Sequence, residues 1–202
     1  EVMDLVSVMQ ETVTFLRRTI PENITIEIRT RTIESLIKAD KNQIKQILSN
    51  LIVNAKDAMP KGGHISVVAE KGKQNESHSV KRHRIMLPPG EWAVINVQDN
   101  GLGMPQEIIN HVFEPFFTTK EVGKGTGLGL PQVYGIVTRH QGLIDIWSEP
   151  GQGTSFWIYL PVYKEINEKT SDEPELIRGQ GETILVYDRD SETVSSLNNM
   201  LT

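Results

Sequence analysis

The chain has 202 residues, 38% hydrophobic and 23% charged, with 16 Gly and 10 Pro. That is the composition of one globular domain plus flanking pieces, long enough to bury a core. Lys and Arg number 21 against 26 Asp and Glu, a formal charge of −5, which speaks against a general nucleic-acid binder. Cysteine is absent, so disulfides, thiolate nucleophiles and cysteine-ligated zinc are excluded, and no apolar run approaches the roughly 20 residues of a membrane span.

The opening EVMDLVSVMQ has neither an initiator methionine nor the charged start of a signal peptide. The expectation is a cytoplasmic piece of a longer protein, without nucleic-acid or membrane contacts of its own. Residues 2–20 space Val2, Leu5, Val6, Met9, Val13, Leu16 and Ile20 near a 3.6-residue period, which predicts an amphipathic helix ended by Pro21. Ile24, Ile26 and Ile28 alternate with polar residues as in a half-buried strand, and residues 33–37 form a second short one. Asp40 and Gln43 have the spacing of a capping box. The helix they open sets Ile44, Ile47, Leu48, Leu51, Ala55 and Ala58 on one face and stops at Pro60 and Gly62-Gly63.

Residues 64–70 and 92–98 read as strands separated by a polar, partly basic stretch, KGKQNESHSVKRHR, taken as a solvated hairpin insertion. Glycines dominate residues 99–130, and residues 130–140 are predicted helical with Gly142 as the C-cap. LIDIWSE, a GQGT turn and SFWIYLP then give a hairpin signal. Residues 164–181 have the composition of a linker. The closing ETILVYDRD and LNNML segments suggest one strand and the start of a helix, too little to bury a core.

Four segments carry chemistry. In NLIVNAKDA, Asn50 and Asn54 stand one helical turn apart. Their carboxamides project side by side, able to offer oxygens to Mg²⁺ or to bond a ligand, or to be an ordinary solvent-facing pair. In DNGLG, Asp99 closes an apolar strand where a carboxylate can accept from an exocyclic amine, and the glycines permit close backbone approach. FEPFFTTK is either a loop packed on the core or a hydrophobic hinge supporting a mobile loop, with Lys120 as a point charge suited to phosphate. GKGTGLGL leads into a helix whose N-terminal N–H groups attract an anion. It matches neither a Walker loop nor a dinucleotide fingerprint.

In this order the segments resemble the catalytic ATP-binding domain of sensor histidine kinases, in the GHKL superfamily with gyrase, MutL and the ninety-kilodalton chaperone. NLIVNAKDAM resembles the N box, DNGLGM the G1 box, FEPFFTTK the F box, GTGLGL the G2 box and GQGTSFWIYLP the last, G3-type motif. The form is most similar to the nitrogen-regulator type. The resemblance implies an α/β two-layer sandwich, a mixed sheet covered on one face by helices in the Bergerat manner. ATP would sit between the helices and a lid at residues 113–127.

Carried over residue by residue, Asn54 would coordinate Mg²⁺ with Asn50 in support, and Asp99 would accept the adenine amine. Gly101 and Gly103 would let the backbone pass the base. Lys120 and the backbone of Gly125, Gly127 and Gly129 would hold the phosphates, with Thr154 near the adenine side. Asp57, Phe113, Thr126 and Leu128 complete the implied nucleotide-binding set, and Asn50, Asn54 and Lys120 the catalytic one. Hydrolysing relatives carry a glutamate base where this chain has Asn50. An amide takes no proton at neutral pH, so the resemblance implies phosphotransfer to protein rather than rapid hydrolysis.

The five histidines, His64, His78, His83, His111 and His140, all lie outside the H-E/D-x-x-[NT] context of a phosphoacceptor. The resemblance therefore implies an upstream dimerisation domain bearing the acceptor and a homodimeric parent. Residues 1–20 would be the connector, 21–162 the catalytic domain, 163–181 a linker and 182–202 the truncated start of a receiver. GETILVYDRD is similar to a first receiver strand, with Asp188 and Asp190 at acidic positions and Arg189 replacing the second aspartate. A receiver domain or response regulator is then the downstream partner of a hybrid kinase. The rival readings are a non-catalytic nucleotide-sensing domain of the same superfamily and a serine-kinase anti-sigma factor.

Overall fold

A five-stranded sheet in the order β2-β4-β7-β9-β8 forms one layer of the computed structural model, and helices form the other. The structure describes residues 1–31, 35–74, 78–79, 86–121 and 125–164. In chain order the elements are β1 (Val2–Asp4), α1 (Leu5–Leu16), β2 (Ile24–Thr30), β3 (Leu36–Lys38), α2 (Lys41–Asp57), β4 (Gly63–Gln74), β5 (His78–Ser79) and β6 (Met86–Leu87). They continue with β7 (Gly90–Asp99), α3 (Gln106–Ile109), α4 (Gly129–Arg139), β8 (Leu143–Glu149) and β9 (Gly153–Pro161). β2 pairs parallel with β4 and every other pair in the sheet is antiparallel, the mixed sheet that the resemblance implies.

Strand periodicity decides which face is covered. Ile65, Val67 and Ala69 of β4, Ala93, Ile95 and Val97 of β7, and Phe156, Ile158 and Leu160 of β9 are all buried. They meet Leu5, Met9 and Val13 of α1, Ile44, Ile47, Leu48 and Leu51 of α2, and Val133 and Val137 of α4 in one cluster. Each Val, Leu, Ile, Met or Phe among them contributes about 1.5–3 kcal/mol on burial. On the opposite face Trp92, Val94 and Tyr159 gather with Leu87.

The first helix is shorter than its periodicity predicts. Val2–Asp4 is a strand paired antiparallel with β3, Met3 opposite Ile37, and a ladder partner so distant in sequence leaves no trace in local spacing. Asp4 then caps α1, accepting from the Val6 and Ser7 N–H groups at 3.3 and 3.0 Å. It also accepts from Ser35 N–H at 3.1 Å. The helix ends at Leu16, well before Pro21. The portion Glu1–Lys164 forms one compact unit, residues 1–20 included.

Asp40 caps α2 by accepting from Asn42 and Gln43 N–H at 2.8 and 3.2 Å. The reciprocal half of a capping box is absent: the Asp40 N–H donates to His140 Nε2 at 3.1 Å, and Gln43 Oε1 is buried without a partner among the described residues. After α4 the left-handed residue is Gln141, φ 57°, rather than Gly142. Glycine is needed at 142 for another reason, since a Cβ there would lie 2.5 Å from the Tyr159 carbonyl oxygen. β4 and β7 extend beyond the predicted strands, to Gly63–Gln74 and Gly90–Asp99. Residue 33, most of the basic insertion, and the linker and receiver-like tail from residue 165 onward lie outside the described residues, whereas the N–H of Tyr163, at the expected start of the linker, donates to the Leu36 carbonyl at 2.8 Å.

Candidate functional site

α2 and α4 run side by side, and their contact brings the two asparagines to the start of α4. The Asn50 Nδ2 donates to the Gly129 carbonyl at 3.2 Å and stands 3.4 Å from Gln132 Oε1. A Cβ on Gly129 would meet the Asn50 and Asn54 carboxamides at 3.8–3.9 Å, so all three share one surface. α4 begins without a side-chain cap bond at Leu128. Its first N–H groups and the positive end of its dipole are left for solvent or an anion.

The stretch that follows β7 reaches α2 through Lys120 and meets Gly127 through Phe116. Phe113 packs against the main core, with its ring centroid 5.5 Å from that of Tyr134. Phe116 is 74% exposed and adopts φ 69°. Its N–H donates to the Gly127 carbonyl at 2.9 Å. Gly127, itself at φ 64°, has no room for a Cβ, which would fall 2.4 Å from the Phe116 carbonyl carbon.

Beyond that pinch, Gly125 lies against Thr118 and Lys120, and Thr126 Oγ1 accepts from Leu128 N–H at 3.3 Å. Lys120 crosses to α2, where its Nζ bonds Asp57 Oδ2 at 2.6 Å and Lys56 takes Oδ1 at 3.1 Å. Burial would raise the Asp57 carboxyl, but the two lysines outweigh it and hold it below its ordinary value.

At the end of the sheet a polar row interrupts the apolar one. Asp99 of β7 faces Thr154 of β9, which faces Ser148 of β8. All three are buried. Asp99 Oδ1 accepts from Gly101 N–H at 2.8 Å and Thr154 N–H at 3.3 Å, and no donor reaches Oδ2 among the described residues. Burial raises the Asp99 carboxyl above its ordinary value, against the pull of those two N–H groups.

The glycines of this end fit the protein's own backbone. A Cβ on Gly101 would lie 2.6 Å from the Ala58 carbonyl oxygen, and one on Gly103 (φ +65°) would lie 1.9 Å from that of Glu149. The Ala58 carbonyl also accepts Leu102 N–H at 2.9 Å, tying this loop to the end of α2.

The expected residues thus fall into three neighbouring groups: Asn50, Asn54 and Gly129; Asp57, Lys120 and Gly125; Asp99, Gly101, Gly103 and Thr154. Sequence reasoning missed Ser148, whose Oγ accepts from Met104 N–H at 2.8 Å and contacts Gly153 O and Thr154 Oγ1, both at 2.9 Å. The available signal was register, because Ser148 continues the core-facing series of Ile144 and Ile146.

Comparison with known proteins agrees with this fold. The model of the histidine kinase-, DNA gyrase B-, and HSP90-like ATPases matches residues 39–164. Sensor kinase CckA of Brucella abortus is 42% identical over 173 residues, 86% of this chain and 18% of CckA. Sporulation kinase A of Bacillus subtilis is 40% identical over 125 residues, 62% of this chain and 18% of that kinase. The chain therefore spans less than a fifth of either relative. Among solved structures, the catalytic domain of histidine kinase ThkA matches with a TM-score of 0.64 and 27% identity, covering 80% of this chain and 95% of that one. Mycobacterial sensor histidine kinase MprB gives 0.63 and 25%, covering 80% and 97%. With four of the five sheet strands, α2, the glycine loop and α4 inside the matched segment, the chain belongs to the histidine kinase-, DNA gyrase B-, and HSP90-like ATPase family as an ATP-binding domain.

Proposed function

We propose that this chain is the catalytic ATP-binding domain of a two-component protein-histidine kinase. It holds Mg²⁺–ATP and presents the γ-phosphate to a histidine outside the chain. Asp99 Oδ2 accepts the adenine amine, and Thr154 stands beside it. The phosphates lie along Asn54, Gly129 and the uncapped start of α4, with Lys120 supplying positive charge. Phosphoryl transfer asks little more of a protein than positioning and charge neutralisation.

The donor set fits Mg²⁺, which keeps several waters and binds through one or two protein oxygens plus phosphates. Asn54 offers an amide oxygen, whereas the Asp57 oxygens are engaged by Lys120 and Lys56. Among the described residues no three His, Cys, Asp or Glu side chains group to hold a metal, so the ion would share its ligands with the nucleotide. When bound, it neutralises charge on the phosphate oxygens.

The observation that carries the reading is Asn50. It occupies the position where the resemblance puts a water-activating glutamate in hydrolysing relatives, and its Nδ2 is bonded to Gly129. An amide in that place orients without abstracting a proton, which leaves ATP intact until an acceptor arrives. The partners are then the parent's own dimerisation domain, in a homodimer, and a receiver domain or response regulator. γ-Labelled ATP with this chain alone gives no protein label. With the parent's upstream segment added, label appears that is acid-labile and base-stable. Acid-labile label on the chain alone, or none in the longer protein, refutes the proposal.

A further inference from the structure

We infer that Ser148 is a positioning residue that sets purine selectivity, by fixing the Thr154 hydroxyl as an acceptor toward the base. The inference rests on the reading of the Asp99 end as the base pocket and adds to it a residue and a direction for each proton.

The argument is a count of protons. Ser148 Oγ has one hydrogen and two lone pairs. A carbonyl only accepts, so the contact with Gly153 O at 2.9 Å consumes the Ser148 hydrogen. The Met104 N–H occupies one lone pair at 2.8 Å. The second lone pair faces Thr154 Oγ1 at 2.9 Å, and that bond forms only if Thr154 donates. With its proton spent on Ser148, Thr154 can only accept from anything else.

Asp99 completes the pattern. Its Oδ1 already takes Gly101 and Thr154 N–H, and a carboxylate has no hydrogen to give. Asp99 and Thr154 are direct cross-strand partners, as are Thr154 and Ser148, so the row presents acceptors alone. A purine with an amine at C6 supplies the matching donor. One with a carbonyl at C6 meets oxygen against oxygen and leaves buried acceptors unpaired, the situation in which binding sites discriminate strongly. Ser148 reaches no base in this arrangement and acts wholly through Thr154, while also pinning the Met104 loop to the turn at Gly153.

The test is calorimetric titration of the 202-residue chain with Mg-ATP and with Mg-GTP. In Ser148→Ala the Thr154 hydroxyl is free to rotate and donate to a carbonyl. The expected result is a fall of about tenfold in the ATP-to-GTP affinity ratio, about 1.4 kcal/mol. A purely structural role weakens both nucleotides by one factor and leaves the ratio unchanged, and that result overturns the inference. If Ser148→Ala fails to melt cooperatively, Thr154→Val decides instead. It removes the hydroxyl acceptor while leaving Ser148 its Met104 and Gly153 bonds, and an unchanged ratio there is equally fatal. A wild-type chain that binds both nucleotides alike overturns the assignment of the base pocket itself.

Discussion

Asp99→Asn separates the cost of a buried charge from its use. The substitution preserves shape, and its Oδ1 can still accept from Gly101 and Thr154 N–H, now 2.8 and 3.3 Å away. An NH₂ group replaces Oδ2, so a donor meets the adenine amine where an acceptor stood. One hydrogen bond to a charged group is worth about 1.5–3 kcal/mol, which converts to roughly a 10- to 150-fold loss of ATP affinity.

Stability moves the other way. Burial raises the Asp99 carboxyl above its ordinary value, so the folded protein resists ionising it. A carboxyl with a raised folded value adds stability while protonated. That stability is lost as pH rises from the unfolded value through the folded one, and the full cost stands at neutral pH. Asp99→Asn therefore melts above wild type at pH 7, and the gap narrows on acidification toward the ordinary aspartate value of about 3.9. Calorimetric titration with Mg-ATP and melting curves across pH measure both halves. Binding within threefold of wild type, or a melting temperature below it at pH 7, refutes the reasoning.

Two further substitutions probe neighbouring parts of the site. Gly103→Ala forces a Cβ to within 1.9 Å of the Glu149 carbonyl oxygen at φ +65°; overpacking and backbone strain together cost about 2–5 kcal/mol in urea unfolding. A loss below about 1 kcal/mol would show that this glycine is not a packing requirement. Asn54→Ala weakens ATP about tenfold when Mg²⁺ is present, the worth of one ligand or hydrogen bond. Chelation abolishes the difference, and an equal loss without Mg²⁺ would remove Asn54 from the metal.

The residues of the candidate site stand out in the sequence more readily than the bounds of the strands and helices around them, because they are unusual types at short spacing. Asn50 and Asn54 announce a shared surface through helical period alone, and Asp99 announces itself as a charge closing an apolar strand. What stayed hidden depends on partners far along the chain. Val2 keeps helical spacing, yet pairing with Lys38 makes it strand. Gln43 completes the letters of a capping box, yet His140 claims the N–H it would have bonded. The glycines at 101 and 103 read as letting the backbone pass a base, and local spacing carries no sign that carbonyls of Ala58 and Glu149 also leave no space for a Cβ there. Ser148 escaped notice because register places it on the core side of β8 but says nothing of its partners, and its three contacts lie far along the chain or across a turn.

The bond from Leu102 N–H to the Ala58 carbonyl makes the end of α2 a fixed spacer between Asn54 and the loop after Asp99. Asn54 sits four residues before Ala58 on the helix, about 6 Å along its axis. One turn of hydrogen-bonded backbone therefore sets the offset between Asn54 and the loop that follows Asp99. A one-residue insertion between 54 and 58 would swing the asparagine face by about 100° around the helix while leaving the loop anchored. Nearby loops can vary in length without changing this measurement, but α2 cannot.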